Sequence, residues 1–298
     1  MARDPVADRS LAITMLVATK NEAANIGRCI EALRPAARVI VVDSGSTDGT
    51  GAIAQRLGAE VVQFAYHGGY PKKRQWALER LDLSTPWVLL LDADEVVPPE
   101  LWGEIGAAIS RPGGPDAYFV TKGFHFLGRR FRFGGFSHAA VLLFRTGAAS
   151  FERLAAAEES GLDMEVHERV VVRGRIGRLG TPLIHEDFKG LQAYVDRHNR
   201  YSTWEAAVRR GFRETGRFGD EAVDARLFGN VQERRRWLKA LVMGMPCEHW
   251  IWFWYHYAIR LGFLEGMPGL IACRLRSQYI AQVRAKTYES RVKAIPRF

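Results

Sequence analysis

The chain has 298 residues, of which 47% are hydrophobic and 25% charged, so it holds one large or two small folded domains and is not a disordered protein. Its formal net charge is +9, and residues 169–298 carry 24 Lys and Arg against 12 Asp and Glu, which predicts an anionic partner for that part. Three widely spaced cysteines form no metal-binding signature, and the polar N-terminal stretch contains no apolar core of a signal peptide, so we expect the active part to face the cytoplasm.

Short apolar runs alternate with helical patterns through the first hundred residues. The predicted strands span residues 11–18, 39–42, 60–64 and 88–91, and the predicted helices between them span residues 23–33, 50–57 and 71–81. This alternation is typical of βαβ units in a doubly wound α/β sheet. Because parallel strands end on one side of a sheet, we expect the loops after the four strands to open at one edge, where such sheets bind ligands.

The fourth predicted strand ends in an acidic cluster, Asp92-Ala93-Asp94-Glu95. In a turn, the carboxylates of two aspartates that lie one residue apart can both face a single cation. Carboxylate oxygens suit Mg²⁺ or Mn²⁺, which proteins normally share with substrate phosphates. The alternative is an acidic loop that caps the following helix, and the pattern alone does not decide between the two.

Polar residues also follow the first two strands: Thr19, Asn21 and Glu22 after the first, Asp43 and Ser46 after the second. A carboxylate at a strand end can accept hydrogen bonds from a base N–H group or a ribose hydroxyl. No G-x-G-x-x-G follows the first strand and no P-loop motif occurs, so we expect a metal ion and basic side chains to hold phosphates. The basic candidates in the third helix are Lys72, Lys73 and Arg74, with an ordinary solvated helix face as the alternative.

Four segments carry a resemblance to a known family: VATKNEAANIGRCIEAL, VIVVDSGSTDGT, YPKKRQWALE and WVLLLDADE. Together they resemble the family 2 glycosyltransferases, which are inverting nucleotide-sugar enzymes of the GT-A fold. The resemblance covers residues 11–190. One departure is that Trp76 follows Arg74-Gln75 where the family's related segments carry asparagine.

The resemblance implies roles for the polar residues at the sheet edge. Thr19, Glu22 and Asp43 would bind the uridine part of a UDP-sugar donor, and Arg74 would lie near the nucleotide. Asp92 and Asp94 match the D-x-D pair, with Asp94 as the direct ligand of Mg²⁺ or Mn²⁺. The further candidate substrate contacts are Asn21, Ser46, Lys72, Ala93, Asp92, His167 and His185.

The resemblance also implies a catalytic base, Glu168, in a V-H-E segment beside His167. Inversion needs one base to take the proton from the acceptor hydroxyl as its oxygen attacks the anomeric carbon. Glu165 and Asp163 are rival bases, and the alternative is that His167 and Glu168 merely pair on a surface loop. His185 could be a further metal ligand or a phosphate contact, with a structural histidine as the alternative.

Between these motifs the pattern predicts a helix over residues 98–110 and strands over residues 117–121 and 139–145. The aromatic and basic stretch 124–136 fits either a half-buried strand beside the acceptor cleft, which we favour, or a nucleic-acid contact. Residues 170–179 suggest a short hairpin.

From residue 191 the pattern becomes helical, basic and rich in aromatic residues. The aromatic segment 250–264 is too short and too interrupted by charge to span a membrane, but it fits a segment lying in an anionic bilayer surface. The alternative is a buried helix that packs on the catalytic domain or on another subunit, which allows a homo-oligomer. Residues 260–266 and 269–271 resemble segments of the lipopolysaccharide core β-glucosyltransferase subgroup.

We therefore expect a GT-A catalytic domain at residues 1–190 and a helical membrane-association or oligomerisation region at residues 191–298. The resemblance implies transfer of a hexose, with glucose favoured, from a UDP-sugar to a hydroxyl of a membrane-held glycolipid such as a lipopolysaccharide core. The site would be peripheral, at the cytoplasmic face of the inner membrane. The alternatives are a polyprenyl-phosphate glycosyltransferase and a nucleic-acid-binding module; we expect no nucleic-acid partner.

Overall fold

A mixed sheet forms the centre of the computed structural model, which describes residues 10–153, 163, 169–216, 226–228, 231–243 and 245–294. The strands are β1 (Leu11–Thr19), β2 (Ala36–Asp43), β3 (Glu60–Gln63), β4 (Trp87–Asp92), β5 (Glu95–Val96), β6 (Ala117–Phe126), β7 (Arg129–Arg130), β8 (His138–Arg145), β9 (Ala149–Phe151), β10 (Val170–Val172), β11 (Ile176–Arg178) and β12 (Leu183–His185). The helices are α1 (Ile26–Glu31), α2 (Thr50–Arg56), α3 (Lys73–Arg80), α4 (Pro99–Ile109), α5 (Gly190–Thr215), α6 (Val231–Met243), α7 (Glu248–Trp254) and α8 (Gly266–Ala294).

The main sheet has the order β3-β2-β1-β4-β8-β6-β12-β5. The first four of these strands run parallel, and β8 is antiparallel to both of its neighbours. Ala18 lies opposite Val42 on one side and Asp92 on the other, so the ends of β1, β2 and β4 are level. The prediction that these loops share one edge is therefore confirmed.

The apolar runs of β1 and β4 are buried because both strands lie inside the sheet with helices against them. Residues 13–19 of β1 and 87–91 of β4 are all buried. Helix α1 places Ile26, Cys29 and Ile30 on one face, at the spacing of one helical turn, and buries all three. The rigid centre of the sheet thus holds the polar loops at its edge in fixed positions.

The predicted hairpin over residues 170–179 is wrong. Strand β10 pairs antiparallel with β9, whereas β11 runs parallel to β6. Asp116 accounts for the difference, since its carboxylate accepts a hydrogen bond from the backbone N–H of Arg175 at 3.0 Å and its own N–H donates to the Arg175 carbonyl at 2.8 Å. These bonds draw the chain toward the start of β6 and away from β10.

The aromatic and basic stretch 124–136 forms the end of β6, a turn at Leu127 and Gly128, and the short strand β7. Its rings pack together, with Phe124 stacked on Phe126 and Phe136, and Phe131 meeting Phe124 edge-on. The stretch is thus a hairpin whose aromatic side chains build a small core of their own.

The chain after residue 190 is helical where it is described. A turn of π-helix (Tyr255–Ile259) and a 3-10 turn (Gly262–Glu265) connect α7 to α8. A buried ion-pair network joins three helices, because Arg209 of α5 contacts Glu248 at 2.7 Å and Tyr279 of α8 donates to Glu205 at 2.5 Å. Among the described residues, no helix combines the length and the apolar character needed to cross a bilayer.

Candidate functional site

Asp43 organises the loop after β2. Its carboxylate accepts hydrogen bonds from the Thr19 hydroxyl at 2.8 Å, from the Ser46 backbone N–H at 2.8 Å and from the Ser46 hydroxyl at 2.5 Å. Gly45 adopts a φ of 67°, a left-handed conformation that glycine reaches without strain, and so turns the chain back on Asp43. The structure thus brings together Thr19, Asp43 and Ser46, which the sequence predicted only as separate loop residues.

Asn21 and Glu22 complete this side of the edge. The Asn21 backbone N–H donates to the Ser46 hydroxyl at 2.8 Å, and its side-chain oxygen accepts from the Thr47 N–H at 2.9 Å. The Glu22 carboxylate accepts from Asn25 at 2.8 Å and from Lys189 at 2.5 Å. Burial raises the pKa of Glu22, and the contact with Lys189 opposes that shift.

Asp92 lies between two cations at the end of β4. It pairs with the Arg74 guanidinium, and its other oxygen accepts from the Lys122 ammonium at 2.7 Å. Burial opposes ionisation, but the charges of Arg74 and Lys122 outweigh it and hold the pKa of Asp92 well below its usual value. Asp92 is therefore an ionised carboxylate whose negative charge is balanced by Arg74 and Lys122.

Lys122 and Glu95 are site residues that the sequence analysis did not assign. Lys122, on β6, lies 2.6 Å from the carboxylate of the fully buried Glu95, which also accepts the Asp92 backbone N–H at 2.9 Å. One ammonium group thus ties two carboxylates of the acidic cluster together. The sequence did contain a signal for this contact, because Lys122 interrupts the mainly apolar sequence of β6. A charge buried in a strand needs a partner of opposite charge.

Asp94 and His185 form the second pair at this edge. Antiparallel pairing of β12 with β5 and a hydrogen bond from the Glu186 N–H to the Asp94 carbonyl at 3.0 Å bring His185 beside the acidic cluster. Nδ1 of His185 lies 3.4 Å from Oδ1 of Asp94 and 3.5 Å from Oε1 of Glu95. Burial lowers the pKa of His185, but the Asp94 charge outweighs this effect and raises it to about 10.

Asp94 and His185 are suited to act as two of the ligands of a divalent ion. Oδ1 of Asp94 and Nδ1 of His185 are both buried and make no hydrogen bond, so each has a lone pair available when the imidazole is neutral. Within the part of the chain that the structure describes, no group of three or more His, Cys, Asp and Glu side chains forms a complete metal cage. An ion bound by Asp94 and His185 would therefore need further oxygen ligands from phosphates and water.

The three basic residues of the third predicted helix have separate surroundings. Arg74 reaches Asp92, whereas the buried Lys73 donates to the Thr19 carbonyl at 2.6 Å. The Lys72 ammonium lies 5.4 Å from the ring centroid of Trp204. The interpretation of a solvated helix face is therefore wrong for Lys72 and Lys73, which are each 1% exposed.

The candidate base Glu168, its neighbour His167 and the rival base Glu165 lie outside the described residues. The other rival, Asp163, is described: its carboxylate lies 3.3 Å from the Lys73 ammonium and its carbonyl accepts the Lys73 N–H at 2.9 Å. Burial raises the pKa of Asp163, but the Lys73 charge outweighs it, so the net shift is downward. A carboxylate held ionised in this way is a weaker base than a free one.

The sequence matches a known protein family and a curated relative. The family model described as Glycosyl transferase family 2 matches residues 14–136. The chain is 31% identical over 208 residues to the lipopolysaccharide core biosynthesis glycosyltransferase LpsC of Rhizobium meliloti (strain 1021). This alignment covers 66% of this chain and 71% of LpsC.

Two solved structures are also similar to this chain. Mannosyltransferase PcManGT from Pyrobaculum calidifontis, solved with GDP-Man and Mn²⁺, is 15% identical to this chain, with a TM-score of 0.48. The match covers 93% of this chain and 87% of the PcManGT chain. Glucosyl-3-phosphoglycerate synthase from Mycobacterium tuberculosis, solved with Mn²⁺, UDP and glucosyl-3-phosphoglycerate, is 26% identical with a TM-score of 0.32. That match covers 41% of this chain and 46% of the synthase. The chain has the GT-A α/β fold followed by a helical region, and it belongs to glycosyl transferase family 2.

Proposed function

We propose that this glycosyltransferase moves a hexose from a UDP-sugar to a hydroxyl of a membrane-held glycolipid, with inversion at the anomeric carbon. The observation that carries the proposal is the meeting of two half-sites at one sheet edge. One is the hydrogen-bonded loop around Thr19 and Asp43, and the other is the pair of Asp94 and His185. The name of LpsC, a lipopolysaccharide core biosynthesis glycosyltransferase, supports the class of acceptor.

The loop around Asp43 would bind the nucleoside. Asp43 and Glu22 offer carboxylate oxygens to the uracil N–H and the ribose hydroxyls, and the Thr19 and Ser46 contacts keep Asp43 in one orientation. These hydrogen bonds within the loop would limit the ordering that donor binding requires.

Arg74, Lys122, Asp94 and His185 would act on the diphosphate. Asp94 and His185 would hold Mg²⁺ or Mn²⁺, which supplies positive charge to the departing UDP. Arg74 is a planar donor that suits phosphate oxygens, and donor binding would let it exchange Asp92 for phosphate.

Glu168 would act as the catalytic base. The acceptor oxygen forms its bond to the anomeric carbon as the bond from that carbon to the UDP oxygen breaks, and the acceptor proton passes to the Glu168 carboxylate. The engagement of Asp163 with Lys73 supports Glu168 over that rival. His167 beside it would contact the acceptor or the base.

The acceptor would be reached at the cytoplasmic face of the inner membrane, where the protein would bind peripherally. The excess of basic residues after residue 168 supports attraction to an anionic surface. The same helices could also bind a second copy of the chain.

A transfer assay with purified protein tests the proposal. UDP-glucose, UDP-galactose and GDP-mannose are each supplied with Mn²⁺ or Mg²⁺, and product is sought on a lipid A core glycolipid and on undecaprenyl phosphate. We expect metal-dependent release of UDP and a glycolipid product. Product only on undecaprenyl phosphate would assign the acceptor as a polyprenyl phosphate, and no turnover with any UDP-sugar would contradict the proposed donor.

A further inference from the structure

The segment between the start of α7 and the start of α8 exposes an unusual number of large apolar side chains. Trp250, Trp254, Ile259 and Met267 are 56%, 57%, 72% and 66% exposed. Tyr255, Phe263 and Leu264 are exposed as well. Monomeric soluble proteins rarely leave such a concentration of apolar surface in water, so this segment, residues 250–267, is a candidate interaction surface.

A groove of about 630 Å³ lies between this segment and α8. Its walls are mainly aromatic on one side, from Trp250, Phe253, Trp254 and Tyr257, and on the other side come from α8. The α8 residues in the wall run from Leu270 to Ala281, which corresponds to a length of about 16 Å along the helix. That length and lining suit a hydrocarbon chain.

The groove lining combines polar and aromatic groups. The Ser277 hydroxyl donates to the His249 carbonyl at 2.9 Å, and Nδ1 of His249 is buried without a hydrogen-bond partner. Tyr257 packs edge-on against the exposed Phe263. A mainly aromatic lining that includes a few polar groups suits an amphiphile.

Cationic side chains lie beside the apolar surface. Arg274 lines the groove and is exposed, and Arg260 is exposed within the segment itself. Arginine beside aromatic side chains is the pattern of a surface that lies in the headgroup region of an anionic membrane. The one carboxylate within residues 250–267, Glu265, is buried, so the same surface of a second copy would offer these arginines no acidic partner. That disfavours self-association through this surface.

We propose that residues 250–267 dock on an anionic lipid bilayer and that the groove between α7 and α8 takes one acyl chain of a phospholipid. Trp250 and Trp254 would enter the interface at the mouth of the groove, with Arg274 at the level of the phosphates. The inference rests on the proposed function in one respect: the glycolipid acceptor would lie in the same membrane.

The docking surface is connected to the catalytic edge. The Arg260 carbonyl accepts the Gly134 backbone N–H at 2.8 Å, and the imidazole of His256 lies 2.5 Å from the Gly134 carbonyl. Phe136 contacts Trp252 on this side and stacks on Phe124, whose ring lies 6.5 Å from that of His185. Docking would therefore place the candidate site at a fixed height above the bilayer.

Vesicle flotation tests the docking surface without any nucleotide sugar. The full-length protein is mixed with vesicles of phosphatidylcholine alone or of phosphatidylcholine with phosphatidylglycerol, and its partition is measured. We expect binding to the anionic vesicles. The double variant W250S/W254S should bind at least tenfold less, because two indole rings are withheld from the apolar phase. Arg274→Gln should lower binding to anionic vesicles about fivefold and leave binding to neutral vesicles unchanged.

Tyr288→Ser is the matched control. Tyr288 is 67% exposed and lies about 21 Å beyond Arg274 along the same helix, so its loss should leave vesicle binding unchanged. Brominated acyl chains should quench tryptophan fluorescence in the wild type and much less in W250F/W254F. Calorimetry with UDP reports separately on the donor site, so a failure of docking is distinguishable from a failure of the proposed activity.

Three kinds of result would overturn the inference. One is a wild-type protein that floats with neither kind of vesicle. Another is a Trp double variant that binds as tightly as the wild type, or a wild type whose fluorescence is not quenched by brominated chains. The third is light scattering that finds a wild-type dimer and a monomeric W250S/W254S variant, which would make this segment a contact between two copies.

Discussion

Nδ1 of His185 lies 3.4 Å from Oδ1 of Asp94, although one residue ends β12 and the other follows β4. Neither atom makes a hydrogen bond, and both are buried. Backbone pairing of β12 with β5 holds the two side chains beside each other, and the Asp94 charge favours the protonated imidazole. A divalent ion that binds there would therefore displace a proton from the imidazole.

Asp94→Asn keeps the shape of the side chain and removes its charge. We expect metal-stimulated turnover to fall at least about 100-fold, because one carboxylate ligand is lost from a site with few protein ligands. The measurement is UDP release against Mn²⁺ concentration. UDP binding without metal should be retained, and a variant with wild-type dependence on Mn²⁺ would remove Asp94 from the site.

Lys122→Met leaves Asp92 and Glu95 without the ammonium group that lies between them. We expect the free energy of unfolding to fall by about 3–5 kcal/mol, the usual result of removing one partner from a buried ion pair. Urea denaturation measures the loss. Lys122→Arg, which keeps the charge, is the control, and it should lose less than half as much.

Glu168→Gln tests the proposed base. Because general base catalysis contributes about 10²–10⁴-fold, kcat should fall by that factor while UDP-sugar affinity is unchanged. Single-turnover kinetics separates the two effects. Asp163→Asn serves as the comparison, since its partner is Lys73, and a larger loss of kcat in that variant would move the base to Asp163.

His198 predicts a specific sensitivity to acid. Burial lowers its pKa to about 4, below the unfolded value of about 6.5, so the folded protein binds fewer protons than the unfolded chain between these two values. Stability should therefore fall as the pH drops from 6.5 toward 4, by on the order of 3 kcal/mol for this residue.

Thermal unfolding at several pH values tests this, with His198→Phe as the variant. Phe keeps a ring that can stack on Tyr194, where the two rings now lie 3.9 Å apart. The variant should lose less stability than the wild type on acidification. Parallel curves for the two proteins would show that His198 does not titrate in this range.

Glu265 fixes the aromatic hairpin to the C-terminal region. Its carboxylate accepts the Arg132 N–H at 2.6 Å and the Phe133 N–H at 2.8 Å, and pairs with Arg129 at 2.7 Å. Glu265→Ala leaves both N–H groups without this acceptor, so we expect a stability loss of about 2–4 kcal/mol. Hydrogen exchange should accelerate over residues 129–136 and remain unchanged in β1; equal exchange at the hairpin would contradict the prediction.

Predictions from the sequence were correct where a short sequence pattern determines the structure. The buried strands β1 and β4 follow from continuous apolar runs, and the common edge of Thr19, Asp43 and Asp92 follows from parallel pairing. The contact of Lys122 with Glu95 depends on the register of a mixed sheet, which no local pattern specifies. The contact of Lys72 with Trp204 likewise joins residues more than a hundred positions apart in the sequence. The hairpin at residues 170–179 was predicted from spacing alone, whereas Asp116 decides where that chain goes.

Lys189 reaches Glu22 at 2.5 Å, and the buried Lys72 is covered by Trp204 of α5. Cutting the gene after codon 190 would therefore not release an independent catalytic half. The fragment would expose Lys72 and would lose the Glu265 carboxylate on which the hairpin depends. We expect such a truncation to be recovered as aggregate, so expression designs for this enzyme should retain the helices through α8.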